Sequence, residues 1–174
     1  MELRFVAPDL RALDATPAEV LAVSYFDDER PLRGLAGLID FRLAGQLSKL
    51  LIRGRVHGAV REQVLLPGRP RLACDRVLLV GLGRRDTFDV GRARTALVEL
   101  FATLDALMAR SVVLCLPGRS DGSLDVEPAI ESFLPLTDEA HEQDDVTLVE
   151  PPEAVRAMRA LIERHRRRVR AAET

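Results

Sequence analysis

Two short glycine-bearing loops are the places where this chain could do chemistry. Gly81-Leu82-Gly83 follows an apolar run and precedes Arg84 and Arg85. A dinucleotide fingerprint begins this way, because glycines let the backbone approach a diphosphate at a helix N-terminus, but it places a third glycine where Asp86 stands. Asp86 and Asp89 would repel phosphate from the helix that follows, and Arg84 and Arg85 would offset them. Gly81, Gly83, Arg84 and Arg85 are therefore the candidate ligand-binding residues, set against a tight turn that simply needs glycine. Gly118-Arg119-Ser120-Asp121-Gly122 has the G-x-S-x-G spacing of a nucleophile elbow. Pro117 separates it from the preceding apolar run, and the next helical pattern starts several residues after Ser120. A solvated polar loop is expected, in which Ser120→Ala changes little.

Other reactive side chains are scattered. His57, His141 and His165 lie far apart without nearby ligand partners and read as surface or helix-face histidines, so no metal site is expected. Asp138, Glu139, Glu142, Asp144 and Asp145 lack the spacing of a calcium loop and read as a solvated charged loop. Cys74 and Cys115 sit in or beside apolar runs at no metal-binding spacing, as free buried thiols of a reducing compartment do. No catalytic residue is assigned and no cofactor is expected.

Charge is placed unevenly. Residues 119–153 hold 11 acidic side chains against Arg119 alone, whereas residues 154–174 hold seven arginines against Glu163 and Glu173. The basic stretch belongs to a helix predicted over 151–170, where Val155, Met158, Ile162, His165 and Val169 recur by three and four and must dock on something. Arg164, Arg166, Arg167, Arg168 and Arg170 on its other faces form a candidate interaction surface. Solvated arginines, a nucleic acid or acidic protein, and the chain's own acidic segment are the three readings of it.

These residues need a frame. Val20–Phe26, Arg76–Leu82 and Ser111–Leu116 are short, nearly uninterrupted apolar runs, as in strands covered on both faces. Glu2–Ala7, Glu62–Leu66 and Asp145–Val149 read as further strands. Asp89 caps a helix running to about Ala109, with Ala93, Leu97, Leu100, Phe101 and Leu104 at helical period. Asp40 is expected to cap one helix reaching about Arg53, with Phe41, Leu43, Ala44, Leu47, Leu50 and Leu51 facing inward. A short helix is expected near Val126. The alternation predicts a single α/β domain over 1–174, three-layered, with a mixed, mostly parallel central sheet. Apolar residues make up 47% of the chain and aromatic ones only 4%, so the core is aliphatic and stacking of bases on aromatic platforms is disfavoured. No signal peptide or membrane span is visible, and a cytoplasmic setting is expected.

Four of these segments, in this order, resemble one family. Ala22-Val23-Ser24-Tyr25-Phe26-Asp27-Asp28 is similar to the second strand and acidic turn of the N-terminal domain of the leucyl aminopeptidases, which are cytosolic two-metal peptidases. Gly45-Gln46-Leu47-Ser48-Lys49-Leu50-Leu51-Ile52-Arg53-Gly54 resembles its helix, Arg76-Val77-Leu78-Leu79-Val80-Gly81-Leu82-Gly83 its strand ending in glycines, and Ser111–Pro117 the strand after the long helix. The resemblance is clearest over 20–117 and implies a macro-like α/β/α fold. It also implies a non-catalytic role, because that family's metal ligands and catalytic Lys belong to a C-terminal domain with a signature of the form N-T-D-A-E-G-R, and this chain contains no Asn. The expectation is an assembly or interaction module whose partner is itself or another protein. A nucleotide or ADP-ribose type of ligand, or a polyanion such as DNA on the arginine-rich helix, are the alternatives.

Overall fold

The computed structural model describes residues 1–172. Its six strands are β1 (Glu2–Val6), β2 (Ala18–Tyr25), β3 (Gln63–Pro67), β4 (Cys74–Gly81), β5 (Ser111–Leu114) and β6 (Asp145–Val149). They form one sheet in the order β1-β6-β5-β2-β4-β3. All neighbours are parallel except the edge strand β3, which runs antiparallel to β4. The uninterrupted apolar runs fall in the middle, as a sheet covered on both faces requires. Ala22 of β2 stands beside Leu78 on one side and Leu114 on the other.

Alternation along each strand divides the core in two. Val20, Ala22, Leu78, Val80, Leu114, Val146 and Leu148 point to one face. There they meet α4 (Val90–Ala106), α5 (Val126–Phe133) and α6 (Pro152–Ala172). Leu21, Val23, Val77, Leu79 and Val113 point to the other, where α1 (Leu10–Asp14), α2 (Gly34–Arg42) and α3 (Gln46–Ile52) lie. The fold is therefore a three-layer α/β/α domain. Among the described residues no helix is long and apolar enough to cross a membrane.

The long helix follows its pattern. The Asp89 carboxylate accepts the Arg92 N–H at 2.9 Å, and Leu97, Leu100, Phe101 and Leu104 are fully buried. It ends at Ala106, and two residues on Met108 has a φ of 51°, in the left-handed region. Glycine is usual just beyond a helix C-terminus, and another residue there costs about 1 kcal/mol. Met108 nevertheless holds its side chain 73% exposed.

Three expectations are corrected. The helix expected from Asp40 to Arg53 is two helices, broken where Ala44 and Gly45 take positive φ. Asp40 does cap a helix, but from within α2: its carboxylate accepts the Leu47 N–H at 2.8 Å and the Ser48 N–H at 3.2 Å at the start of α3. The break turns Phe41 outward, 75% exposed, while Leu43, Leu47 and Leu51 stay buried. The acidic stretch is also not wholly solvated. His141 packs 4.9 Å from the Phe101 ring with Nδ1 2.8 Å from Asp105, and the buried Gln143 donates to Asp105 and to the Ala109 carbonyl. Lastly, His141 is a partly buried tether rather than a surface histidine.

The final helix docks by its apolar stripe, with Met158 fully buried and Ile162 5% exposed. Ile162→Asp would put an unpaired charge against α5, which costs several kcal/mol. Urea denaturation of this variant is expected to show a loss of about 3 kcal/mol or more; a midpoint equal to that of the parent would mean the stripe is not packed.

Candidate functional site

In a parallel sheet the loops after the strands converge at one end, where ligands of open α/β folds commonly sit. Here these loops are 26–33 after β2, 82–89 after β4 and 115–125 after β5, with Glu150 directly after β6. Side chains from each reach across to the next.

Arg85 joins three of them. Its guanidinium lies 4.5 Å over the Phe26 ring, donates to Ser123 Oγ at 3.0 Å, pairs with Asp121 and stands 3.7 Å from the buried Glu29. Glu29 in turn accepts the backbone N–H of Arg33 at 3.0 Å. Arg119 closes the other side. Its Nε and Nη2 donate to the two oxygens of Glu150 at 2.9 and 2.8 Å, and Nη1 donates to the Leu124 carbonyl at 2.8 Å. Glu150 is 1% exposed. This two-pronged pairing raises the Arg119 pKa. Burial, with the Glu150 charge and against that of Arg119, pushes the adjacent Cys115 thiol up to about 12. Cys74 is pushed up to about 11, chiefly by burial.

Ser120 is not the solvated hydroxyl that the elbow spacing suggested. Its Oγ accepts the Leu35 N–H at 2.6 Å and so caps α2, whose own N-cap residue, Arg33, offers no side-chain acceptor. Ser120 packs so close to Gly34, at φ 51°, that no Cβ fits there. The solvated-loop reading, on which Ser120→Ala was expected to change little, is thereby corrected: a side chain remote in sequence fills a local capping role.

The other candidate residues separate. A Cβ on Gly81 would collide with the Ala59 carbonyl, and the Gly83 N–H donates to the Gly58 carbonyl at 2.8 Å, so both glycines serve the close approach of the chain's own 57–62 loop. Glu62 holds that loop. Burial alone would raise its pKa, but N–H donors from Gly58, His57 and Ala59 and the Tyr25 hydroxyl outweigh burial and lower it. Arg84 pairs with Asp86 at 2.8 Å, away from Arg85. On α6, Arg166 lies 3.5 Å from Glu163 and His165 lies 2.7 Å from Asp138; Arg164, Arg167 and Arg168 are exposed, as is Arg170. Among the described residues, His165 of the basic helix thus pairs with Asp138 of the acidic segment.

Beside the Arg119–Glu150 pair a cavity of about 470 Å³ opens between Leu35 and Leu38 of α2, Val149 and Pro151, with Cys115 and Ser120 at its wall. Sequence reasoning missed it. One signal was available: Arg119 is the sole basic residue among 11 acidic ones in 119–153, and a cation so placed is poised to pair. Among the described residues no group of three or more His, Cys, Asp or Glu side chains is placed to hold a metal ion.

Residues 20–139 match the family described as the cytosol aminopeptidase family, N-terminal domain. The chain belongs to this family, through that domain. A probable cytosol aminopeptidase of Halorhodospira halophila is 34% identical over 90 residues, covering 52% of this chain and 18% of the relative. The chain thus spans about a fifth of the length of the curated relatives it matches. A mutant tomato leucine aminopeptidase superposes with a TM-score of 0.62 at 18% identity, covering 91% of this chain and 35% of that one. The Trypanosoma brucei macrodomain in complex with ADP-ribose superposes with a TM-score of 0.69 at 16% identity, covering 92% and 68%. At these identities the likeness is one of fold, and that fold is macro-like.

Two outcomes follow from the site's geometry. Ser120→Ala is expected to lower stability by about 1 kcal/mol in chemical denaturation, the usual loss for a removed helix cap; an unchanged midpoint would refute the capping role. Both thiols are buried and free. With their pKa values raised, they should resist an aromatic disulfide reagent near pH 8 in the folded protein, and both should react once guanidinium unfolds it.

Proposed function

We propose that this chain is a non-catalytic assembly and interaction domain of the cytosol aminopeptidase N-terminal type. The observation that carries this reading is the closure of the loops at the strand ends by the chain's own side chains. Arg85 is engaged by Glu29, Asp121 and Ser123, Arg119 by Glu150 and Leu124, and Ser120 by Leu35. A reacting substrate needs nucleophile, base and donors left free to meet it. Here those groups are committed to holding loops together. The family match supports the same reading, since it is to the N-terminal domain. A cytoplasmic setting accords with the relatives' name.

One observation favours a second reading. The cavity of about 470 Å³ lies beside these loops. It falls within the usual range for small-molecule pockets. One solved macrodomain that superposes on this chain is in complex with ADP-ribose. A ligand of that type in the cavity would make the domain a nucleotide-binding module.

Purified protein supplied with Zn²⁺ or Mn²⁺ is expected to release no amine from leucyl-anilide. Calorimetric titration with ADP-ribose is expected to give no saturable heat. Metal-dependent turnover that co-purifies with the chain would sink the non-catalytic reading. Saturable ADP-ribose binding that is lost in Leu38→Trp, which fills the cavity, would establish the second reading in its place.

A further inference from the structure

At the opposite end of the sheet, where β1, β5 and β6 begin, a negative and a positive surface lie side by side. The loop between α5 and β6 carries Glu139, Glu142 and Asp144 with side chains 63%, 48% and 70% exposed. Arg110 stands 3.7 Å from Glu142 and 3.5 Å from Asp144, and supplies one positive charge to this surface. The C-terminal half of α6 borders it: His165 reaches Asp138 at 2.7 Å, and Arg164 and Arg168 flank Leu134 and Pro135. Among the described residues Arg164, Arg167 and Arg168 pair with no acidic side chain. Two surfaces of opposite sign therefore abut without neutralising each other, beyond the one histidine contact.

An apolar residue stands at the same end. Met108 precedes Arg110 by two residues, and the Arg110 carbonyl accepts the Asp144 N–H at 2.9 Å, so Met108 adjoins the acidic loop. It keeps a left-handed backbone, which glycine would adopt freely, while its side chain projects into solvent. A flexible thioether with a charged surround has the makings of an interface anchor.

We propose that this end of the domain binds a second copy of the chain about a two-fold axis. Arg164, Arg167 and Arg168 of one copy lie on Glu139, Glu142 and Asp144 of the other, and Met108 is buried between them. Adjacent patches of opposite sign are self-complementary under two-fold rotation, because each favourable contact is then made twice. A nucleic acid fits less well, since a polyanion lying along the arginines would run onto Asp138 and Glu139. The inference deepens the assembly reading and rests on it, naming the partner as the chain itself.

Sedimentation velocity in about 50 mM and about 500 mM salt tests it, because contacts between exposed charges are screened at the higher value. The parent should be a dimer at low salt and dissociate at high salt. The variant Arg164→Glu, Arg167→Glu, Arg168→Glu should be monomeric, as should Glu139→Arg, Glu142→Arg, Asp144→Arg, each with an unchanged circular dichroism spectrum. Mixing the two should restore a one-to-one dimer, which misfolded variants could not do. Met108→Gly should raise the melting temperature and weaken dimerisation about tenfold. A parent that is monomeric at low salt, a dimer that survives both triple variants, or a mixture that stays monomeric overturns the proposal. So does a monomer that retards duplex DNA through the arginines. None of these results alters the leucyl-anilide or ADP-ribose outcomes, so failure of this pairing is distinguishable from failure of the broader reading.

Discussion

Everything in this domain follows from the need to cover β2 on all sides. It is hydrogen-bonded to β4 along one edge and β5 along the other. Val20, Leu21, Ala22 and Val23, alternating between its faces, are each no more than 3% exposed. A strand so placed demands helices on both faces of the sheet, and parallel neighbours demand crossovers that supply them. The same parallelism gathers the loops after β2, β4, β5 and β6 at one end. The convergence of Arg85, Arg119, Ser120, Glu29 and Glu150 is thus a consequence of topology before it is a matter of function.

What those residues do there is governed by burial. A carboxylate 1% exposed needs a partner, and stripping that partner away typically costs about 3–5 kcal/mol. The pairing of Arg119 with Glu150 is therefore hard to open, and any ligand must use the neighbouring cavity as it stands. The glycines beside Arg84 and Arg85 look from the sequence like a cradle for phosphate. In the fold the nearest oxygens belong to Gly58 and Ala59 of the same chain. A backbone carbonyl makes the same demand for glycine as a diphosphate would, and residue spacing does not distinguish them.

Local pattern made the strands and the long helices legible, because the signal and its cause lie within a few residues. β6 begins and ends where the run Asp145–Val149 does, Asp89 caps α4 as read, and Met158 and Ile162 bury the face of α6 that their spacing marks. The resemblance of residues 20–117 to an aminopeptidase N-terminal domain holds for the same reason: it rests on strands and caps. What was not legible depends on partners distant in sequence. Phe41 faces solvent because Ala44 and Gly45 break the helix, and the break is held by Asp40 reaching into the next turn of chain. His141 is drawn partly inward by Asp105, 36 residues earlier. The role of Ser120 was hidden because α2 lacks a capping residue of its own.

That last arrangement bears on how the molecule is made. The hydrogen bond from Leu35 to Ser120 spans 85 residues. As a chain grows from its N-terminus, α2 is finished long before its cap exists. Through the synthesis of β3, β4, α4 and β5 only water can cap its first turn. The layer formed by α1, α2 and α3 therefore closes late, when the loop after β5 swings into place. Before then the apolar side chains of Leu35, Ile39 and Leu47 face a half-built sheet, an interval in which a nascent domain is open to wrong contacts.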